Sequence, residues 1–365
     1  MHNTPMLDVS LRHRAGQLDL AVAFTAPTGV TALFGPSGAG KSTVISAISG
    51  LLRPDQGRIT LGGTPLFDRA NRIDMPAHRR RIGYVFQDPR LFPHLGVRGN
   101  LDYGAKRAPK GAQGPAFDQV IEMLGIAPLL DRRVAALSGG EKARVSIGRA
   151  LLSKPQILLM DEPLAALDTP RRAEILPFLE RLRDTGLPIV YVSHSVAEIA
   201  RLADTLVLID QGKTRASGPL RSLLADPDLA HLFGQDEAGA VIEARVTGQD
   251  PDGMTLVQGA GGTLYLTDPH PAGTDLRLRI QASDVILARQ RPEGLSALNI
   301  LAGEVRKITP TSADRARVWV QIRCGGEEIL AKITARSAQA LELREGTPCH
   351  AILKTVAVER RTPKA

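Results

Sequence analysis

The sequence predicts a chain of two parts, an α/β domain with a mostly parallel sheet followed by an all-β domain. From Leu7 to about Gly234, short apolar runs of β type alternate with amphipathic stretches at helical spacing, which is typical of a sheet covered by helices. Beyond Gly234, clusters of Gly, Asp and Pro separate short segments in which polar and apolar residues alternate, as in antiparallel strands. The 365 residues exceed what one hydrophobic core usually organises, so we expect two or three folded units.

The first domain is predicted to span 1–234 and to contain a helical insert. Its buried strands are expected at four apolar runs, 30–34, 157–160, 189–192 and 206–209. Strand signals disappear from about 95 to 154, and apolar residues recur there at helical spacing, for example in 117–124. We therefore predict that 95–154 forms a helical subdomain.

The all-β part is predicted as two successive units, 235–294 and 295–365. Turn-forming clusters at 250–253 and 259–262 separate the segments of the first unit. Half-buried strands of a small barrel are expected wherever polar and apolar residues alternate. The segments with this alternation are 241–246, 276–280, 318–323 and 329–333.

The formal net charge of +8 and the pI near 9.8 would suit nucleic acid, an anionic membrane face or anionic ligands as partners. Short basic clusters at 79–81 and 171–172 lack the interleaved aromatic residues that stack on bases. The sequence also has neither helix-turn-helix nor zinc-ligand spacing. We therefore interpret the charge as an arginine-rich solvated surface and expect no nucleic acid partner.

Two features bear on the cellular compartment. No stretch approaches the roughly 18 uninterrupted apolar residues that a membrane helix needs, and the first five residues lack the charged-then-apolar order of a signal peptide. We expect the chain to stay in the cytosol, where Cys324 and Cys349 would be free thiols.

Residues 35–42 fit the pattern G-x-x-x-x-G-K-[ST] of a phosphate-binding loop. They follow the strand predicted at 31–34 and open a helix at 43–51, which is the context that this motif requires. Glycines let the backbone approach phosphate oxygens, and the helix N-terminus adds partial positive charge. Lys41 is predicted to contact the β and γ phosphates of ATP, and Ser42 is predicted to bind Mg²⁺. The predicted nucleotide-binding residues are Gly35, Pro36, Ser37, Gly38, Ala39, Gly40, Lys41, Ser42 and Thr43.

A carboxylate pair ends the apolar strand predicted at 157–160. Asp161 and Glu162 would lie at the carboxyl edge of a parallel sheet, where ligands bind. Asp161 is expected in the Mg²⁺ shell, and Glu162 is expected to be the general base that polarises the attacking water. Alone, a strand followed by Asp-Glu is usually a simple strand end, so the assignment depends on the other motifs.

A third motif, Leu137-Ser138-Gly139-Gly140-Glu141, lies between these two and directly precedes a helix predicted at 142–152. Its serine and glycine amides can bind an anion at that helix N-terminus. The three motifs in this order resemble those of the ATP-hydrolysing subunits of ABC transporters. The resemblance implies an α/β P-loop ATPase with a RecA-like core and ABC-type β and helical subdomains. It also implies a head-to-tail homodimer that sandwiches two ATP molecules.

The resemblance to ABC ATPases covers 7–234 and implies roles for further residues. Gln87 matches the Q-loop glutamine, which contacts Mg²⁺ or water and links the core to the helical insert. His194 matches the switch histidine that reaches the γ phosphate, and Asp168 lies in the D-loop near the dimer seam. Alone, a strand-end histidine is usually structural and a lone glutamine is uninformative. The residues that would complete the ATP site of the opposite subunit are Ser138, Gly139 and Gly140.

The sequence departs from the usual ABC pattern at two places. Glu141 stands where the family most often has Gln, which should leave phosphate binding intact because the serine and the amides do that work. About two dozen residues before the P-loop, where an aromatic residue usually stacks on adenine, the chain has Arg12, His13 and Arg14. Arg and His side chains can also stack on a base, so only the details of base binding should differ.

The C-terminal third resembles the molbindin-type oxyanion-binding domains of molybdate-handling proteins. The resemblance rests on 296–299, 332–337, 343–346 and 352–354. It implies an all-β OB-like barrel with a site for molybdate or tungstate across a dimer interface. A tetrahedral dianion needs hydroxyl and amide donors with a cation and without a carboxylate, and the implied ligands meet this requirement. They are Ser296, Asn299, Thr334, Ala335, Ser337 and Lys354.

Two observations keep an alternative open for this domain. Leu298 stands where many molbindin motifs carry arginine. Related barrels also occur on importers of sugars, sulfate, iron and polyamines. A purely structural dimerisation domain is therefore the alternative interpretation.

The chain also resembles the ATPases of molybdate importers in four further segments, 88–95, 97–101, 137–149 and 280–285. The first two of these segments resemble the stretch that contacts the permease. This implies a peripheral protein on the cytoplasmic face of the inner membrane, docked on integral membrane permease subunits. It would power import of molybdate delivered by a separate binding protein, and we hypothesise that cytosolic oxyanion bound to the barrels inhibits it. Open alternatives are another oxyanion cargo such as tungstate or sulfate, a non-transport ABC ATPase, and an oxyanion store or sensor.

Overall fold

The computed structural model describes residues 6–234, 237–311, 316–353 and 357–359. Contacts divide the chain into two compact units. The first comprises the chain up to His194 together with Leu202–Ser217, and the second comprises Ser195–Arg201 and the chain from Gly218 onwards. The boundary predicted at 234 thus lies inside the second unit.

The first unit is built on one sheet, which in the described residues has eleven strands in the order β6-β5-β4-β1-β2-β11-β10-β3-β9-β8-β7. The strands are β1 (Leu7–Ala15), β2 (Leu18–Ala26), β3 (Val30–Phe34), β4 (Gln56–Leu61), β5 (Thr64–Asp68), β6 (Ile73–Asp74), β7 (Ile82–Val85), β8 (Ile157–Asp161), β9 (Ile189–Val192), β10 (Thr205–Asp210) and β11 (Lys213–Pro219). Strands β10, β3, β9, β8 and β7 pair in parallel, whereas β1 pairs antiparallel with β2 and β4. The predicted parallel sheet is confirmed for these five strands, whereas β1, β2, β4, β5 and β6 form an antiparallel part of the same sheet.

Helices connect these strands. They are α1 (Lys41–Ser49), α2 (Val97–Lys106), α3 (Phe117–Leu124), α4 (Gly139–Leu152), α5 (Thr169–Arg183) and α6 (Val196–Leu202). Helices α2, α3 and α4 lie between β7 and β8, where the helical insert is predicted, and this fully described stretch contains no strand.

The loop that follows β7 is fastened to the helical insert by two side chains. Asn100 in α2 is fully buried, accepts a hydrogen bond from the Phe92 N–H at 2.8 Å and donates to the Phe92 carbonyl at 3.2 Å. Arg149 in α4 donates to the carbonyls of Pro89 and Arg90 at 3.2 and 2.9 Å. The path of the loop therefore depends on the insert as well as on the sheet.

Arg80 is 1% exposed and caps the C-terminal end of α1. Its Nη1 donates to the carbonyls of Ala47 and Ile48, in the last turn of that helix, at 2.8 and 2.9 Å. A cation at this end complements the helix dipole and satisfies carbonyls that have no partner within the helix. The interpretation of the 79–81 cluster as solvated surface is therefore wrong for its central residue.

The second unit is all-β apart from short helical segments, as predicted for the C-terminal part. Its helices are α6, apart from its last residue, together with α7 (Leu220–Leu224) and α8 (Ala335–Ala340). Its strands are β12 (Gly239–Gln249), β13 (Thr255–Gly259), β14 (Gly262–Leu266), β15 (Asp275–Gln281), β16 (Val285–Ala288), β17 (Asn299–Pro310), β18 (Arg317–Cys324), β19 (Glu327–Thr334), β20 (Pro348–Leu353) and β21 (Ala357–Glu359). They form two five-stranded sheets, β14-β13-β12-β15-β21 and β16-β20-β17-β18-β19.

The two sheets exchange strands across the division predicted at 294. Strand β16 precedes that point but pairs with β20 of the second sheet, and β21 follows it but pairs with β15 of the first. Apolar side chains of both sheets join in one hydrophobic core, for example Val257 and Leu278 from the first and Val305 and Ile329 from the second. Neither sheet therefore has a core of its own.

Two further observations concern the cysteines and the membrane. Cys324 and Cys349 are free and buried, and burial raises the pKa of the Cys324 thiol to about 12. Within the part of the chain that the structure describes, no helix is long and apolar enough to cross a membrane.

Candidate functional site

The predicted phosphate-binding loop connects β3 to α1, and two of its positions require glycine. A Cβ on Gly35 would lie 1.9 Å from the Ile209 carbonyl oxygen. Gly40 has φ +98°, and a Cβ there would lie 2.6 Å from the Leu20 side chain. The absence of side chains thus lets the loop pack against β10 and β2 immediately before α1 begins.

Lys41, the first residue of α1, is buried against this loop. Its Nζ donates to the carbonyl oxygens of Gly35 and Pro36 at 2.7 and 2.9 Å. Burial lowers the pKa of the Lys41 ammonium, and the negative charges of Glu162 and Asp161 oppose that shift. The ammonium therefore contacts the loop and is influenced by the two carboxylates at the end of β8.

The two residues predicted to bind Mg²⁺ from the loop and from β8 meet directly. Ser42 Oγ donates to Asp161 Oδ1 at 3.0 Å, and the hydroxyl of Tyr84 in β7 donates to Asp161 Oδ2 at 3.4 Å. Burial raises the pKa of the Asp161 carboxyl, and the hydrogen bond from Ser42 opposes this. Burial also raises the pKa of Tyr84 to about 12, so its phenol stays a neutral donor. Sequence reasoning missed Tyr84, since nothing in the local pattern of β7 marks it.

The predicted general base and the predicted switch histidine also come together. Glu162 Oε2 lies 3.5 Å from His194 Nδ1. Glu162 has φ +46°, and its N–H donates to the Val192 carbonyl at 3.1 Å. A left-handed conformation at a non-glycine residue costs about 1–3 kcal/mol and is concentrated at functional sites. The strain accompanies the turn that follows β8, where the carboxylate meets the histidine.

Gln87 lies beyond the end of β7 on the same sheet edge and is exposed. In the parallel pair of β7 and β8, Val85 is opposite Met160. The structure thus places the predicted Q-loop glutamine on the edge that carries the carboxylates.

The donors at this edge fit Mg²⁺. The hydroxyl of Ser42, the carboxylate of Asp161 and the amide oxygen of Gln87 are hard oxygen ligands. Mg²⁺ in nucleotide sites usually takes one or two protein groups together with phosphate oxygens and water. In the described residues, no group of three His, Cys, Asp or Glu side chains is arranged to hold a metal ion. The hydroxyl, carboxylate and amide oxygens at this edge suit a cation that also binds nucleotide phosphates.

The signature segment 137–141 starts α4 with a reciprocal pair of hydrogen bonds. Ser138 Oγ accepts from the Glu141 N–H at 3.3 Å, and Glu141 Oε2 accepts from the Ser138 N–H at 2.7 Å. This capping box satisfies two backbone donors at the helix start. The bond from the Ser138 N–H lowers the pKa of Glu141. Glu141 in place of the usual Gln preserves the capping box, because either side chain supplies an oxygen that accepts the bond from the Ser138 N–H.

The two signature glycines pack against the D-loop and α5. A Cβ on Gly139 would lie 3.0 Å from the Leu167 side chain, and one on Gly140 would lie 3.3 Å from Ile175. Asp168 is the N-cap of α5, and its Oδ1 accepts from the Arg171 N–H at 3.0 Å. The signature segment and the predicted D-loop are therefore direct neighbours within one chain.

A pocket of about 470 Å³ lies beside the P-loop, and its lining was not foreseen from the sequence. It is formed by 36–39 of the loop together with Gln17, Leu18, Asp19, Asp210, Gln211 and Lys213. Of the residues expected to stack on the base, His13 has its Nδ1 3.1 Å from Asp55, and the Arg14 backbone N–H donates to the same carboxylate at 2.9 Å. The pocket residues are distant in sequence and adjoin the loop only through the strand order.

Asn299, a predicted oxyanion ligand and the first residue of β17, joins the two C-terminal sheets. Its Oδ1 accepts from the Tyr265 N–H at 2.7 Å, and its Nδ2 donates to the Tyr265 carbonyl at 3.1 Å. Tyr265 lies in β14 of the other sheet. The amide of Asn299 is thus largely committed to a structural pair.

Three other predicted oxyanion ligands gather at the start of α8. Thr334 Oγ1 accepts from the Ser337 N–H at 3.0 Å, and the two hydroxyl oxygens are 2.7 Å apart. The Ala335 N–H donates to the Ala316 carbonyl at 2.7 Å. Both hydroxyl side chains are exposed, whereas these two amides already have acceptors.

The predicted oxyanion ligands do not converge within one chain. Ser296 and Asn299 lie at the start of β17. Thr334 pairs with Arg317 of β18, beside the end of β17. Because a strand rises about 3.3 Å per residue, the twelve residues of β17 separate the two groups by up to roughly 36 Å. Lys354 lies outside the described residues.

The fold and the site define the chain as an ATPase of the ATP-binding cassette class, because a P-loop sheet is combined with a helical insert that carries a capped Ser-Gly-Gly helix start. The ABC transporter family model matches residues 21–165, and the TOBE domain model matches 295–359. Among solved structures, cbiO1 from Clostridium perfringens, part of the ABC transporter complex cbiONQ, has a TM-score of 0.51 and 27% identity, covering 62% of this chain and 93% of its own. The ADP conformation of MJ1267, an ATP-binding cassette of an ABC transporter, has a TM-score of 0.53 and 25% identity, covering 64% and 100%.

Curated relatives are similar over nearly the entire chain. The molybdenum import ATP-binding protein ModC of Rhizobium meliloti (strain 1021) is 51% identical over 97% of this chain and 99% of its own. The protein of the same name from Paramagnetospirillum magneticum is 50% identical over 97% and 98%, and that of Yersinia pestis bv. Antiqua is 44% identical over 98% of both. The chain belongs to the family of these molybdenum import ATP-binding proteins.

Proposed function

We propose that the chain hydrolyses ATP to power the import of molybdate through a membrane permease. The observation that carries the proposal is full-length similarity to molybdenum import ATP-binding proteins in a chain whose Ser42–Asp161 and Glu162–His194 pairs adjoin the P-loop. Its partners are integral membrane permease subunits and, indirectly, a binding protein that delivers molybdate. Its place is the cytoplasmic face of the inner membrane, as a peripheral protein.

Each group of the site has a task in hydrolysis. The P-loop amides and Lys41 bind the phosphates, and Ser42, Asp161 and Gln87 would hold Mg²⁺, which neutralises charge on the β and γ phosphates when bound. Glu162 accepts the proton of the water that attacks the γ phosphorus, while the bond from that phosphorus to the β–γ bridging oxygen breaks. His194 lies 3.5 Å from Glu162 and can contact the γ phosphate while steadying the carboxylate.

A second copy of the chain completes each ATP site in this proposal. The amides of Gly139 and Gly140 are among the first donors of α4 and have no acceptor within the helix. The capping box leaves them at a helix N-terminus that favours anions. In a head-to-tail dimer they would bind the γ phosphate of ATP held by the P-loop of the other copy, with Asp168 at the seam.

We assign the pocket beside the P-loop to the adenine base. Leu18 offers an apolar surface, and Gln17, Asp19 and Asp210 offer hydrogen-bonding groups. The pocket adjoins residues 36–39, so a nucleotide bound by the loop could extend its base into it. This arrangement would replace the aromatic stacking that is usual in the family.

The oxyanion site is proposed to form between two copies of the C-terminal unit. Within one chain, Ser296 and Asn299 lie near the start of β17, whereas Thr334 and Ser337 lie near its end. Leu295 and Leu298, beside Ser296, are 52% and 53% exposed, and contact with another copy would cover these apolar side chains. A bound oxyanion would then link the two copies and inhibit transport.

Transport is tested in proteoliposomes that contain the chain, its permease and its binding protein. Molybdenum uptake is measured by mass spectrometry, with tungstate and sulfate as competitors. We expect ATP-dependent uptake that Glu162→Gln abolishes and that Glu174→Gln, at an exposed glutamate of α5, leaves unchanged. Hydrolysis without uptake of any oxyanion would refute the transport proposal, and uptake of sulfate alone would assign the alternative cargo.

The regulatory site is tested by calorimetric titration with molybdate, tungstate and sulfate. We expect molybdate and tungstate to bind, and the double variant Lys354→Ala with Ser337→Ala to lose this binding. Thr263→Ala, which removes an exposed hydroxyl from another part of the same unit, is the control. Absence of binding to the unaltered chain would favour a structural dimerisation domain. Unchanged transport at saturating molybdate would refute the inhibition.

A further inference from the structure

Tyr84 connects the Mg²⁺-site carboxylate to a pocket at the helical insert. It lies in β7, beside β8, where Tyr84 is opposite Leu159 in the parallel register. Its hydroxyl reaches Asp161 Oδ2 at 3.4 Å and also contacts the Ser46 side chain of α1. The phenol thus touches the strand that carries the carboxylate and the helix that carries the P-loop.

The two oxygens of Asp161 are held from different sides. Ser42, itself a predicted Mg²⁺ ligand, donates to Oδ1, whereas Tyr84, a neutral group outside the predicted ligand set, donates to Oδ2. When a cation takes the place of the Ser42 hydrogen bond, the contact to Tyr84 can persist. Groups of this kind orient metal-binding carboxylates, and their removal typically costs about 10–100-fold in metal affinity or activity.

The other side of the Tyr84 ring lines a pocket of about 310 Å³ between β7 and the helical insert. The ring packs on Phe86 with centroids 4.0 Å apart, and the Arg90 guanidinium lies 4.2 Å from the Phe86 centroid. Tyr103 and Arg149, from the insert, also line this pocket. The ring of Tyr84 therefore packs on Phe86 and faces a pocket shared with the insert, while its hydroxyl contacts Asp161.

We propose that Tyr84 is a positioning residue that holds the Asp161 carboxylate in the orientation required by the divalent cation. The inference rests on the proposed ATPase function, and it adds a residue that acts through Asp161 without touching the cation. Phe86 packs against the Tyr84 ring and Arg90 packs on Phe86, so the loop that follows β7 contacts the residue that orients Asp161.

The test compares the Mg²⁺ dependence of ATP hydrolysis in three variants. Tyr84→Phe keeps the ring and removes only the hydroxyl. We expect the Mg²⁺ concentration for half-maximal hydrolysis to rise about tenfold, the lower end of the usual range because the bond is long. Binding of a fluorescent ATP analogue in excess chelator should be unchanged. Hydrolysis at saturating Mg²⁺ should stay within about twofold of the unaltered chain, because the predicted Mg²⁺ ligands remain.

Tyr103→Phe is the matched control, since it removes a hydroxyl from a tyrosine that lines the same pocket and packs on Phe92. Tyr84→Leu removes the ring as well and reports on packing. If Tyr84→Phe matches the unaltered chain in Mg²⁺ dependence while Tyr84→Leu is impaired, the role is packing and the inference is overturned. If the unaltered chain shows no Mg²⁺-dependent hydrolysis, the proposed function fails and the inference fails with it.

Discussion

Replacing Arg80 by Met should loosen the helix that carries the P-loop residues Lys41 and Ser42. Besides its bonds to the last turn of α1, Arg80 donates through Nε to the Met75 carbonyl at 2.7 Å and through Nη2 to Asp74 at 3.2 Å. A Cβ on Gly50, directly after α1, would lie 2.6 Å from Arg80 Nε, which shows how closely the guanidinium packs there. Met fills similar space but donates no hydrogen bond.

The expected magnitude follows from these contacts. A hydrogen bond from a charged donor contributes about 1.5–3 kcal/mol, but the four bonds of Arg80 share one guanidinium that is costly to bury. Replacing Arg80 leaves the carbonyls of Ala47, Ile48 and Met75 without this donor, and each buried acceptor left unpaired costs about 1–3 kcal/mol. Since about 1.4 kcal/mol corresponds to a factor of ten, the equilibrium for opening of α1 should rise roughly a hundredfold or more.

Hydrogen exchange measured by mass spectrometry on peptides covering α1 is the direct assay, because it reports the opening of this helix alone. Arg79→Met is the matched control, because its side chain is exposed in the same basic cluster. Trp319 is the only tryptophan and lies in the second unit, so its fluorescence checks that this unit is unaltered. If the amide hydrogens of α1 exchange at the same rate in Arg80→Met as in Arg79→Met, the inference that Arg80 stabilises this helix is refuted.

Three further outcomes are expected. Glu162→Gln should keep ATP binding and lower phosphate release at least about a hundredfold, and retained turnover would remove Glu162 from the role of general base. Asn299→Ala should destabilise the C-terminal unit by about 1–3 kcal/mol because it leaves the partly buried backbone N–H and carbonyl of Tyr265 unpaired, and an unchanged unfolding midpoint in Trp319 fluorescence would contradict this. Cys324 and Cys349 should resist iodoacetamide at mildly alkaline pH in the folded chain, because burial raises both thiol pKa values, and should react in denaturant.

The nucleotide site was largely predictable from the sequence because its chemistry is local. A phosphate-binding loop needs glycines, a lysine and a hydroxyl at set spacing between a strand and a helix, and 35–42 supplies them in order. Asp161 and Glu162 end a buried strand, so parallel pairing alone brings them to the edge where the loop lies. The capping role of Ser138 likewise follows from the residues next to it.

The positions of the predicted oxyanion ligands were less predictable, because the spacing of residues along the sequence does not specify which strands pair or in which register. The alternating pattern predicts strands, but it does not say that β16 and β21 change sheets. Nor does it show that Asn299 pairs with Tyr265, or that Thr334 lies near the far end of β17 from Ser296. Each of these contacts joins residues that no local periodicity connects.

The amino-acid sequence was enough to establish the fold class and the family and to predict the residues that would bind ATP, because these inferences depend on residue types at short, fixed spacings. The folded structure was needed to show that Arg80 is buried, that Tyr84 reaches Asp161 and that the two β units share one core. The sequence around a single arginine or tyrosine does not indicate whether its side chain is solvent-exposed or buried against another element. What distinguishes the two is the arrangement of strands and helices around it, which is set by the packing of the whole unit.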